Sequence, residues 1–177
     1  MTTPASSSDS ATLPIARVVL RLLIILNWLP LVPIVVLLVA MPTRQWIMRA
    51  FGIAPSPDAD RLVLGLRSIA ALGLAVVPLN YIVLKRLLAI VDTVRTGDPF
   101  VALNASRLQA IAWALLALQS ISIVIGGIAK AVSTPAHPVH LSAGFSINGW
   151  LAVLLVFLLA RVFAKGTMMR DDLAGTV

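Results

Sequence analysis

The stretch LVLGLRSIAALGLAVVPLNYIVL, residues 62–84, decides the fold. It runs for 23 residues with a single charge, Arg67. At ~1.5 Å rise per residue, about 20 apolar residues cross the ~30 Å hydrocarbon core of a bilayer. Windows 18–40, 108–129 and 147–164 have the same character, and across all four the only charges are Arg21, Arg67 and Arg161. The whole chain is 59% hydrophobic and 12% charged, with mean hydropathy +0.99. Soluble domains carry about 25% charged residues. A soluble globular protein is thereby excluded. The sequence predicts an all-α integral membrane protein with four transmembrane helices in one bundle. The first window is too long for the ~7–15-residue core of a signal peptide, so it reads as a retained span.

A net charge of +7 would suggest nucleic acid in a soluble chain. Here the cations flank apolar runs, where they hold helix ends at lipid headgroups. No basic run is long enough for a row of phosphate contacts, so direct nucleic-acid binding is not expected. Cysteine and glutamate are both absent. Disulfides, thiolate metal sites and Cys nucleophiles are excluded, along with a major class of general base. Nine Lys and Arg (Arg17, Arg21, Lys85, Arg86, Arg95, Arg107, Arg161, Lys165 and Arg170) fall on the face shared by the termini and the second loop. Five (Arg44, Arg49, Arg61, Arg67 and Lys130) fall on the other. The excess predicts both termini in the cytoplasm.

Around the membrane domain, residues 18–164, the sequence predicts a disordered cytoplasmic N-tail at 1–17 and a cytoplasmic C-tail at 165–177. Residues 1–12 are rich in Ser, Thr and Ala with no apolar period. In the first outer loop Trp46, Ile47, Ala50, Phe51 and Ala54 recur at helical spacing, which predicts a short interfacial helix. Pro55 and Pro57 end it, and Asp58 is placed to cap the second span. Residues 133–146 read as an irregular outer loop. On the inner side Leu84, Leu87, Leu88, Val91 and Val94 carry an apolar stripe beyond the second span. Thr96-Gly97 ends that stripe; Asp98-Pro99 reads as a cap and first helical residue, with Asn104 a second possible cap. The expectation is a helical cytoplasmic hairpin.

Within the spans, Arg21 and Arg161 lie close enough to the ends to snorkel. Arg67 lies deeper, and its default role is anchoring at the outer interface. Asn27, Gln119 and Ser122 are deep enough to need partners, most simply on neighbouring helices. Pro30, Pro33 and Pro78 remove backbone donors and should bend the first two spans. Ala71 with Ala75, and Gly127 with Ala131, are small pairs that permit close helix approach. His137 and His140 supply two metal ligands where a tetrahedral site needs more, so no metal or other cofactor is expected. No Ser lies in a Gly-rich elbow and no span holds a His or an acid, so the chain reads as a non-enzyme with no catalytic residue.

Two motifs resemble a known family. One is Gly97-Asp98-Pro99-Phe100 with Asn104 and Arg107-Leu108. The other is Arg161-Val162-Phe163, Gly166-Thr167, Met169-Arg170-Asp171-Asp172-Leu173 and Gly175-Thr176-Val177. Both are similar to a bacterial family of small four-span membrane proteins known only as a domain of unknown function. The resemblance implies no catalytic residue, substrate or cofactor. Its members are often encoded beside a small helix-turn-helix DNA-binding protein, which implies a candidate regulator partner. Asp98, Pro99, Phe100, Asn104, Arg107, Arg170, Asp171, Asp172 and Leu173 are therefore the candidate partner-binding residues, on one predicted face. Asn27, Arg67 and Gln119 are the intramembrane polar candidates for the rival reading, a small oligomeric transporter or pore. The sequence leaves the oligomeric state open.

Overall fold

The computed structural model describes residues 9–40, 45, 48, 49, 52, 59–97, 101–134, 139 and 141–174, with the backbone alone at 9–11, 40 and 171–174. Among the described residues every regular element is helical. The order is α1 (Asp9–Asn27), α2 (Leu31–Val35), a π-helical turn (Val36–Ala40), α3 (Ala59–Arg95), α4 (Ala102–Val132) and α5 (Ile147–Ala174). Four stretches are long and apolar enough to cross a bilayer: Thr12–Val39, Ala59–Arg95, Ala102–Val132 and Ile147–Arg170. The all-helical, four-span expectation holds. At 37 residues α3 is about 55 Å long, so it must project well beyond the hydrocarbon core.

The first span is not one continuous helix. Pro30 has no N–H for the Leu26 carbonyl, which instead accepts from the Leu29 N–H at 3.0 Å. The N–H groups of Trp28 and Leu31 likewise bond three residues back, to Ile25 and Trp28. The chain tightens into a turn over Trp28–Pro30 and then widens into the π-helical segment. The proline expected to bend the second span has a milder effect: Pro78 stays inside the unbroken α3. Helix also begins earlier and ends later than the span windows. Residues 9–17, assigned to the N-tail, lie in α1, and residues 165–174, assigned to the C-tail, continue α5.

Helices adjacent in sequence pack against each other: α1 on α3, α3 on α4, α4 on α5. The middle spans supply most of the core, with Ala70, Val77, Leu108, Ile111, Ala112, Ala114 and Ala129 buried between them and their neighbours. None of the first span's apolar window is buried, against 28% of the second's, so α1 is peripheral and presents its side chains to lipid. Small residues set the close approaches, although not at the expected positions. Ala71, Ala75, Gly127 and Ala131 are all exposed, while the neighbouring Ala70 and Gly126 are buried.

Met48 and Val139 cover the end of the fold where α3 begins and α4 ends. Met48 is buried against Ala59, Leu62 and Val63, with Leu66, Val132 and Val139 packed around them. Most residues of the expected interfacial helix, including Trp46, Ile47, Ala50, Phe51 and Ala54, and the Asp58 cap lie outside the described residues. Residues 143 and 144, after α4, fold back onto it. The Ser122 hydroxyl donates to the Gly144 carbonyl at 3.3 Å and accepts from its N–H at 3.1 Å. Gly126 lets these residues come close, since a Cβ there would stand 2.6 Å from the Ala143 carbonyl oxygen.

Candidate functional site

Gly97, at φ +85°, ends α3; its N–H bonds the Val94 carbonyl and lets the chain reverse into α4. Val101 is the N-cap of α4 and makes no side-chain cap bond. Asn104 is thus not a cap but the third residue of the helix, and it is completely buried. A buried amide must find partners for both its ends. Its Nδ2 donates to Thr93 Oγ1 at 2.7 Å, and its Oδ1 accepts from Arg107 Nη1 at 2.8 Å. The chain of bonds continues outward at both ends: Thr93 Oγ1 donates to the Ile90 carbonyl at 2.7 Å, and Arg107 Nη1 also donates to the Ala89 carbonyl at 3.0 Å.

Asn104 and Arg107 lie three apart on α4 and so share a face, turned towards α3. One residue before Thr93, Asp92 Oδ1 lies 3.1 Å from Arg17 Nε of α1. The two atoms are buried and form an ion pair by distance, although their angle falls short of a hydrogen bond. Three helices are therefore tied at one end by polar contacts. The sequence had assigned Arg17 only to orientation and had given Asp92 and Thr93 no role. The available signal was an acid and a hydroxyl on the extension of α3, among so many cations.

The remaining candidates divide. Asp98, Pro99 and Phe100 lie outside the described residues. Arg170 is exposed on the last turns of α5, and Asp171, Asp172 and Leu173 are helical there, their side chains outside the description. The Arg107 guanidinium turns inward to Asn104 and Ala89. Ser106 of α4 and Arg161 of α5 line one cleft near this end of the fold.

Two of the intramembrane candidates, Asn27 and Gln119, make contacts between helices. Asn27 Nδ2 donates to the Val77 carbonyl at 3.0 Å, joining the break in the first span to the proline position of the second. Trp28 and Tyr81 pack beside it with ring centroids 5.6 Å apart. The Gln119 amide occupies the space where a Cβ on Gly149 would stand. Arg67 is half-buried and is not an unpartnered charge. His137 and His140 lie outside the described residues, among which no three His, Cys, Asp or Glu side chains gather to hold a metal.

A family described as a protein of unknown function, DUF2975, matches residues 5–177. The chain belongs to the DUF2975 family. No curated protein and no solved structure matches it. The DUF2975 match extends over all four spans, the polar cluster around Asn104 and both motifs that carried the resemblance. This DUF2975 member is a multi-pass membrane protein in which, among the described residues, polar side chains of α1, α3 and α4 meet at one end.

Proposed function

We propose that this DUF2975 protein is a non-enzymatic protein of the bacterial cytoplasmic membrane, with both termini inside, that works through its cytoplasmic loop and C-terminal segment by holding a small helix-turn-helix regulator. The observation that carries this reading is the cluster of Arg17, Asp92, Thr93, Asn104 and Arg107. It fixes α1, α3 and α4 against one another at the end from which the loop and the C-terminal helix emerge. A rigid end suits presentation of a surface, because a partner then binds without having to order it. The positive-inside excess supports a cytoplasmic position for that end.

The rival reading, a small oligomeric transporter or pore, has one observation in its favour. The first span is discontinuous at Trp28–Pro30, and broken helices at the midplane are a feature of carriers. Carriers turn the freed polar groups towards a substrate. Here Asn27 at the break bonds α3 instead.

The test is co-purification from native membranes, with captured proteins identified by mass, for the full chain and for a chain ending at residue 165. Normal insertion with loss of the captured regulator is expected of the shortened chain. A shortened chain that inserts normally and retains the same partner would refute the assignment to the C-terminal segment. Substrate-dependent flux in proteoliposomes would favour the rival.

A further inference from the structure

We infer that the cleft between α4 and α5 at the Asn104 end is a binding site for an anionic phospholipid, its headgroup held by Arg161 and Lys165 and an acyl chain lying over Trp113 and Phe157. This goes beyond the regulator reading and does not depend on it. The cleft has a volume of about 490 Å³ and is lined by Ser106, Gln109 and Trp113 of α4 and by Phe157 and Arg161 of α5. Small residues make the space: Ala105, Ala160 and Ala164 stand where larger side chains would close the helices together. A second hollow of about 600 Å³ shares Phe157 and Arg161 with it and is also lined by Leu158, Val162 and Lys165.

The order of chemistry along α5 matches a lipid. Phe157, Arg161 and Lys165 follow at four-residue spacing, so they form one stripe on the helix. Its deep end is aromatic: Trp113 meets Phe157 edge to face with centroids 5.4 Å apart. Its shallow end is doubly cationic, with the exposed Gln109 amide nearby. A phospholipid presents the same sequence, acyl chain and then phosphate, over the same depth. Basic pockets between transmembrane helices are recognised binding places for anionic headgroups.

Three other cations at this end are already engaged. Arg17 pairs with Asp92, Arg107 bonds Asn104 and Ala89, and Lys85 lies 5.5 Å from the Tyr81 ring. Among the described residues, no carboxylate pairs with Arg161 or Lys165. Simple snorkelling would give anchoring without a preference between lipids. A cleft bearing Arg161, with Lys165 one helical turn further along α5, gives a preference for negative headgroups.

Fluorescence tests this directly. Replacing Trp28, Trp46 and Trp150 with Phe leaves Trp113 as the single emitter in the full chain. The protein is reconstituted in phosphatidylcholine vesicles containing an equal fraction of either brominated phosphatidylglycerol or brominated phosphatidylcholine, since bromine quenches tryptophan at short range. Quenching should indicate local enrichment of phosphatidylglycerol on the order of tenfold, the scale expected of two interfacial cations acting on one headgroup. R161Q/K165Q should abolish the preference. R161K/K165R, which conserves both charges, should keep it, as should R86Q, which removes an exposed cation on α3. Equal quenching by the two lipids in the parent would overturn the proposal. So would an equal loss in R86Q, which would mark a general charge effect, or loss in R161K/K165R. Removal of the preference by inorganic phosphate at matched ionic strength would also overturn it, by showing a site for free anions.

Discussion

Replacing Asn104 and Arg107 singly and together should expose a coupling that neither side chain shows alone. Asn104 is fully buried, and its side-chain bonds include a neutral one to Thr93 and a charge-assisted one to Arg107. A neutral bond contributes about 1 kcal/mol net, and one to a charged group about 1.5–3 kcal/mol. Polar contacts between membrane helices measure lower, averaging ~0.6 kcal/mol with a maximum near 1.7. Arg107 is only half-buried, so solvent screening reduces its share further. These limits place the Asn104→Ala cost at about 2–3 kcal/mol. In a double-mutant cycle with Arg107→Ala the coupling should be about 1 kcal/mol or somewhat more. The assay is reversible unfolding of purified protein in mixed micelles with increasing dodecyl sulfate, followed by tryptophan emission. Additivity within the ~0.5 kcal/mol expected of independent sites would refute the linkage. Asn104→Asp would sharpen the test: it keeps the Oδ acceptor for Arg107 but loses the amide donor to Thr93, and should leave most of the coupling in place.

Other outcomes follow from the same geometry. Gly126→Ala should destabilise by about 1–3 kcal/mol, because the new methyl meets backbone of the returning loop, whereas Gly127→Ala, with open space around it, should be neutral; equal midpoints for the two variants would disprove the close approach. A cysteine at Ser142 should react with a membrane-impermeant thiol reagent on intact cells and one at Thr96 should not, both positions being exposed in the fold and the native chain having no cysteine to interfere. The reverse pattern would invert the orientation, and labelling at both would break the four-span topology. Asp92→Asn should shift stability by no more than about 1 kcal/mol, since the pair with Arg17 is partly exposed; a loss of several kcal/mol would mean that the ion pair, and not the Asn104 network, ties the end together.

Solvent chemistry made the fold class legible from sequence. A run such as residues 62–84 has no stable place except hydrocarbon, and a backbone in hydrocarbon has to be helical, so composition and length fix four spans without knowledge of any contact. Gly97 as the end of α3 was legible for a similar reason, because a left-handed residue favours glycine wherever it occurs. The break in the first span was only half legible: two prolines announced lost donors, but whether a helix bends or breaks depends on what packs beside it, and here Asn27 and Trp28 find Val77 and Tyr81. The choice of close approaches was not legible at all. Ala70 and Ala71, or Gly126 and Gly127, are equivalent as letters, and only the rotation of each helix against its neighbour turns one of each pair inward. Asn104 shows the same limit at the candidate site. Its position beside a turn suggested a cap, since a lone Asn near a helix start satisfies local backbone most simply. The antiparallel register of α3 and α4 instead carried it inside, opposite Thr93, where Arg107 from its own helix completes the bonding. Hydrophobicity and turn chemistry act locally and can be read along the chain; which polar groups meet depends on register, and register exists only once the helices have packed.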